Sequence, residues 1–336
     1  MIVDVHAHVI VPEITRAADP GDAWRPAVRR EDGAQVVEFG GRKVRSAVGE
    51  FVEVEGILAE AGATNVDRVV LSPWVNLLPY GLDLAAAVRA CRVQNDALAG
   101  LCAAHPDRVA ALGAVPLQDA AAAADELARL MAVPGMGGAE VAASVAGAWL
   151  GDDRFLGFWE AAEDLGSVVL VHPTTRGFDL PVLERYYLWN TVGNPLETAV
   201  AGADLVMAGV LERFPRLRLV LAHGGGALPA VRGRLRKAHS LLPQARERLT
   251  EPPDASLRRL YYDTVTHDAD LLRALVAWAG ADHVLLGSDR PFDMGADDPV
   301  GEVRALGLDA AAERAVLGGN AAALLGLTPV DGEGRR

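Results

Sequence analysis

Residues 1–10 read MIVDVHAHVI, a run rich in β-branched residues that closes on two imidazoles, His6 and His8. Side chains on a strand alternate between faces, so these two share a face with Cα atoms about 6.7 Å apart. IVDVH (2–6) is the first of eight short apolar runs; the others are DRVVLSPW (67–74), RVAALGAVPL (108–117), MGGAEVAAS (136–144), SVVLVHP (167–173), LRLVLAHGGG (217–226), RLYYDTVTH (259–267) and HVLLGSDRP (283–291). Segments with helical spacing fill the gaps at 53–64, 81–104, 119–132, 154–165, 195–214, 227–243, 268–279 and 311–325. Near-continuous hydrophobicity marks strands buried on both faces, and their alternation with helices predicts an α/β (β/α)8 TIM barrel. The alternative is an open doubly wound sheet, but no run leads into the G-x-G-x-x-G turn of a dinucleotide site.

One barrel accounts for residues 1–328, with a polar tail over 329–336. An insertion at about 9–50 separates the first strand from the first helix, and within it AQVVEFGGRKVRSA (34–47) reads as a hairpin turning at two glycines. Placed beside the barrel mouth, it is expected to act as a lid or substrate flap.

Half of the 336 residues are hydrophobic (51%), and no apolar run approaches the roughly 18 residues of a membrane span. The net charge of −13 would repel a phosphate backbone, so no nucleic-acid partner is expected. No leader-like segment precedes the first strand, which predicts a cytoplasmic protein. Cys91 and Cys102 fall on one expected helix, roughly 16 Å apart and beyond disulfide reach. With two cysteines only, a metal would be held by histidine and carboxylate.

Polar residues gather at one edge. His6 and His8 end the first strand, His172 the fifth, His223 the sixth and Asp289 the eighth, at the carboxyl edge where barrels place their chemistry. Imidazoles on such positions can converge on one cation with Zn–N bonds of about 2.0–2.1 Å. His267 ends the seventh strand and is either a substrate contact or part of a helix cap. His105 and His239 read as surface residues, and His283 as lying at the opposite barrel edge.

HAH, VHP, AHGGG and GSDRPF, in that order with VPLQD (115–119) and GNAAALL (319–325), resemble the amidohydrolase superfamily. The likeness is to its branch of metal-dependent decarboxylases typified by 2-amino-3-carboxymuconate 6-semialdehyde decarboxylase. It implies that His6, His8, His172 and Asp289 bind one divalent ion, zinc or alternatively manganese. It also implies that His223 acts as acid or base on a metal-bound water, a proton-carrying role that Asp289 can share. The three glycines after His223 would let the backbone pass close to substrate. Substrate carboxylates would be held by Arg45 and by Arg234, the latter from a neighbouring subunit, which implies a homodimer.

Two features set this chain apart. Binuclear relatives bridge their metals with a lysine on the fourth strand, whereas the two lysines here, Lys43 and Lys237, lie away from strand ends. Glu140, on that fourth strand, could bind or bridge metal or serve in buried hydrogen bonding. Arg290 stands where the branch carries an aromatic, as a further carboxylate-binding charge or as a partner for Asp293. Trp74, Asn76, Arg176, Phe178 and Trp189 are the candidate pocket walls. The expected activity is release of CO2 from an aromatic or unsaturated carboxylic acid. The alternative is a hydrolase or hydratase acting on a lactone, amide or enoic acid; a barrel kept only as a scaffold fits the metal set poorly.

Overall fold

The computed structural model describes residues 1–15, 24–31, 34–45, 51–174 and 177–328. Thirteen strands are found among them. They are β1 (Val3–Val9), β2 (Ala27–Glu31), β3 (Ala34–Phe39), β4 (Arg42–Arg45), β5 (Arg68–Pro73), β6 (Val109–Ala114), β7 (Met136–Ala142), β8 (Ser144–Val145), β9 (Ala148–Trp149), β10 (Val168–His172), β11 (Arg218–Leu221), β12 (Tyr261–Asp263) and β13 (Val284–Leu285).

Eight of these form one parallel sheet in the order β1-β5-β6-β7-β10-β11-β12-β13. The sheet closes because the chain beyond β13 returns to β1: Val5 N–H donates to Leu286 O, Asp289 N–H to His6 O and His8 N–H to Arg290 O. The TIM-barrel expectation therefore holds, with all eight strands at their expected places. The expected helices also form, including Val54–Ala63, Leu84–Ala104 and Leu228–Leu241. The segment at 195–214 is two helices, Asn194–Met207 and Val210–Arg213, because Gly209 takes φ +74° between them, and that at 311–325 is likewise two, Ala310–Arg314 and Asn320–Leu325, interrupted where Gly318 leaves the helical conformation.

Two apolar layers hold the barrel. A small inner one contains Val3, Val5, Leu112, Leu170, Val220 and Leu285, capped by Ala321. A larger outer one lies between strands and helices. A bulge in β1 between Asp4 and Ala7 separates Val3 and Val5, in the inner layer, from Ala7 and Val9, in the outer one. Bulges re-aim side chains in this way beside active sites. After it, His6 and His8 face the mouth.

The hairpin turns as expected at Gly40 and Gly41, φ +55° and +78°, and β2 adds a third antiparallel strand. Positive φ at both turn residues belongs to the tight turns that join twisted strands. Gly40 abuts Gly81 so closely that a Cβ on Gly81 would sit 2.0 Å from Gly40 O, and Arg42 donates to Thr174 O. The small sheet thus touches loops beyond both β5 and β10. Cys91 and Cys102 are buried free thiols.

Candidate metal centre

His6, His172, His223 and Asp289 each bring one ligand atom within 4.8 Å of the others. His8 joins them: its Nε2 is 3.0 Å from His6 Nε2 and 3.2 Å from Asp289 Oδ1. Asp289 Oδ1 is also 3.3 Å from His6 Nε2 and 4.0 Å from His172 Nε2.

The remaining ring nitrogens settle which atoms face inward. His6 Nδ1 is 2.6 Å from Asp263 Oδ2, His172 Nδ1 2.9 Å from Pro173 O, and His8 Nδ1 3.2 Å from Pro73 O. Carbonyl oxygens accept only, as does an ionised carboxylate, so each Nδ1 carries the proton and each Nε2 presents its lone pair. The His6 and His8 lone pairs would then confront each other at 3.0 Å, an arrangement that a cation between them makes favourable. Metal–ligand bonds of about 2.1 Å place neighbouring ligand atoms about 3.0–3.4 Å apart, matching the separations among His6, His8 and Asp289. His172 Nε2 and Asp289 Oδ1 are buried without a hydrogen-bond partner. Buried polar atoms are normally satisfied, and one bound divalent ion would satisfy both. The residues present fit a single metal ion.

Electrostatics agree. Burial opposes charge on His6, but Asp289 and Asp263 more than offset it and hold its pKa well above the ordinary value. Burial opposes charge on His8 too, yet Glu140 and Asp289 bring it to about 9. His172 is pushed well below by burial and by the imidazoles of His8 and His223. Burial would raise Asp289, but the charge of His6 and the close approach of His223 and His8 drive it well below the usual carboxylate range. The pocket is built to stabilise positive charge.

His223 differs from the other imidazoles. Its Nε2 faces Asp289 Oδ2 at 3.2 Å, so a proton can be shared there. His223 itself has φ +56°, and Gly224, Gly225 and Gly226 follow at +60°, +78° and +58°. The glycines after His223 are absent from the lining of the cavity over the centre and let this turn press on the scaffold. A Cβ on Gly225 would meet the Tyr262 ring at 2.8 Å, and one on Gly226 would lie 2.1 Å from Pro195 O.

A cavity of about 730 Å³ opens over the centre, lined by His172, His223 and Asp289 with Arg45, Trp74, Asn76, Trp189 and, unforeseen from sequence, Lys43, Phe51, Tyr187, Phe292 and Asp293. Tyr187 O–H donates to Asp293 across the rim at 3.3 Å. Arg45, Trp74 and Trp189 thus line the cavity. Arg290 does not: it is buried away from the cavity, its Nη1 3.6 Å from Asp4 Oδ2 and its Nη2 donating to Thr64 Oγ1 at 2.8 Å. It faces Asp4 and Thr64 behind β1 rather than Asp293. Arg234 is exposed on helix Leu228–Leu241 and does not line the cavity.

Glu140 is fully buried behind His8, its Oε2 3.5 Å from Nδ1, the nitrogen turned away from the cluster. Phe178 stacks near Trp149 instead of walling the cavity, and Arg176 lies outside the described residues. His267 is exposed, His283 stacks on Tyr261, and His239 bonds Leu249 O. Asp263, fully buried at the end of β12, was also missed. Its only sequence signal is an acid inside an apolar run, in YYDTV.

The family model of the amidohydrolases matches residues 3–327, and the chain belongs to that family. Its curated relatives include several decarboxylases. A 2-amino-3-carboxymuconate-6-semialdehyde decarboxylase of Dictyostelium discoideum is 30% identical over 276 residues, 81% of this chain and 76% of that one. The crystal structure of 5-carboxyvanillate decarboxylase from Sphingomonas paucimobilis superposes with a TM-score of 0.81 at 25% identity, covering 97% of this chain and 99% of that one. A 5-carboxyvanillate decarboxylase from Novosphingobium aromaticivorans, complexed with manganese and 4-hydroxy-3-methoxy-5-nitrobenzoic acid, shares the fold at TM-score 0.80 and 20% identity, over 97% of this chain and 96% of that one.

Proposed function

We propose that this chain releases CO2 from an aromatic or unsaturated carboxylic acid. The observation that carries the reading is the inward Nε2 set of His6, His8 and His172 with Asp289, opening into a cavity walled by Trp74, Trp189 and Phe292. These four residues would hold one Zn²⁺ or Mn²⁺, whose Lewis acidity polarises substrate oxygens. The Novosphingobium decarboxylase complexed with both manganese and an aromatic acid supports both halves of this assignment.

The protein's own groups divide the remaining work. Arg45, with its planar fork, binds a substrate carboxylate at the cavity wall. His223 Nε2–H, shared with Asp289 Oδ2, delivers a proton to the carbon losing its carboxylate. The electron pair of the breaking C–C bond takes that proton and CO2 departs. The small sheet of β2, β3 and β4 serves as the lid, since Lys43, Val44 and Arg45 reach the cavity from it.

A second copy of the chain would supply Arg234. Helices Asn194–Met207 and Leu228–Leu241 lie against each other, and the former exposes Leu196 and Val200 beside a loop exposing Leu180, Val182 and Tyr186. Apolar surface of this kind suits a subunit interface.

The test is to measure metal per chain, then screen hydroxybenzoates, muconate semialdehydes and lactones for CO2 release and acid production. CO2 release that is lost in His223→Ala, with metal retained, supports the reading. Acid production or hydration without CO2 overturns it in favour of a hydrolase or hydratase.

A further inference from the structure

Asp263 ends β12, fully buried and outside the lining of the cavity, yet its carboxylate meets both halves of the centre. Oδ2 lies 2.6 Å from His6 Nδ1 and accepts the backbone N–H of His223 at 2.9 Å. Oδ1 accepts the N–H groups of Gly224 at 2.7 Å and Val265 at 3.0 Å. All four partners are donors, and the residue is fully buried. We propose that Asp263 is a positioning residue that couples the metal centre to the acid/base: one carboxylate fixes which nitrogen of His6 faces the cation and holds the His223 turn in place. This rests on the metal-dependent reading of the site and adds a residue to it.

The chemistry follows from counting donors. A carboxylate with only acceptor capacity keeps the His6 proton on Nδ1, so Nε2 remains a ligand. The same oxygens satisfy the N–H groups of His223 and Gly224, whose left-handed conformations place them in a turn without a strand partner. Asn at this position cannot serve all four donors. If its amide nitrogen takes the place of Oδ2, His6 must accept from it, which moves the ring proton to Nε2 and blocks the metal, and His223 N–H faces another donor. If it takes the place of Oδ1, Gly224 and Val265 both face a donor. Either orientation damages the centre, and the first damages both halves at once.

The test compares Asp263→Asn with wild type by chelator competition for Zn²⁺ and Mn²⁺. Glu126→Gln is the control, a buried carboxylate remote from the centre that accepts from Asn95 and Arg129. Asp263→Asn should bind metal about 10–100-fold more weakly. Glu126→Gln, even if it melts earlier, should bind as wild type does. Metal affinity within twofold of wild type in folded Asp263→Asn overturns the proposal. A second measurement needs no folded variant at Asp263. In ¹⁵N-histidine NMR of the wild-type protein, the signal lost in His6→Gln should report a proton on Nδ1, hydrogen-bonded and slow to exchange. A His6 proton on Nε2 overturns the assignment. These readouts do not involve turnover, so failure of the decarboxylase reading leaves them interpretable.

Discussion

Replacing Arg290 with Met distinguishes a buried strut from a carboxylate-binding cation. Arg290 is 6% exposed, and its guanidinium faces Asp4, which is 0% exposed. Removing one member of a buried ion pair costs about 3–5 kcal/mol, because the other charge is left uncompensated. Asp4 keeps the N–H groups of His6 and Ser288 and the Ser288 hydroxyl, so the lower end, about 3 kcal/mol, applies here. Unfolding entropy of about 2.1 cal/mol/K per residue gives this chain about 0.7 kcal/mol/K, so Tm should fall by about 4 °C. The loss has a pH signature. Burial holds the Asp4 pKa above its ordinary value, against the lowering effects of Ser288 and Arg290. A raised carboxyl favours folding at low pH and loses that contribution as pH climbs through the folded pKa. The Arg290→Met deficit should accordingly shrink on acidification, as Asp4 becomes neutral, and Asp4→Asn in the same chain should recover much of it. Calorimetry across pH supplies the stabilities, and steady-state kinetics on the substrate found supplies KM, which should stay unchanged. An unaltered Tm with a raised KM would refute the placement of Arg290 as a strut.

Stripping the metal with a chelator should abolish CO2 release and lower Tm; at a metal concentration 100 times Kd the linkage is about 2.7 kcal/mol, and Zn²⁺ or Mn²⁺ should restore both. Metal affinity should rise with pH up to about 9, since the ion must displace the proton that Glu140 and Asp289 stabilise on His8. Glu140→Gln should lower that pKa and flatten the dependence, which competition titrations at several pH values will read. Gly226→Ala combines a left-handed φ, costing about 1–2 kcal/mol, with a Cβ 2.1 Å from Pro195 O, an overpacking of about 1–3 kcal/mol. Its denaturant midpoint should drop, and kcat should fall more than KM changes because the His223 turn moves.

Barrel and hairpin were legible because each rests on local pattern, and the gathering of His6, His8, His172, His223 and Asp289 at one barrel edge followed from where their strands end. Strands buried on both faces are continuous apolar runs, and the Gly40–Gly41 turn is written in its residues. Asp263 was not legible, because its four donors come from β1, the β11 turn and its own strand end, which only folding unites. β12 stops at Asp263 for a related reason: the carboxylate takes the N–H of Val265 where a longer strand would offer a carbonyl. Arg290 was misplaced because a cation next to a metal-binding aspartate looks the same in sequence whether it turns into the cavity or behind β1.

The sequence alone determined that His6 and His8 share a face, since a period of two permits nothing else. It did not determine which face. Strict alternation opposes them to Val3 and Val5, which fill the barrel, and would send the imidazoles outward. The bulge between Asp4 and Ala7 reverses that alternation, and it exists because β1 must pair with β5 on one side and with residues 286–290 on the other. Composition and order along the chain supplied the imidazoles and the carboxylate; the closing of the barrel aimed them at one point.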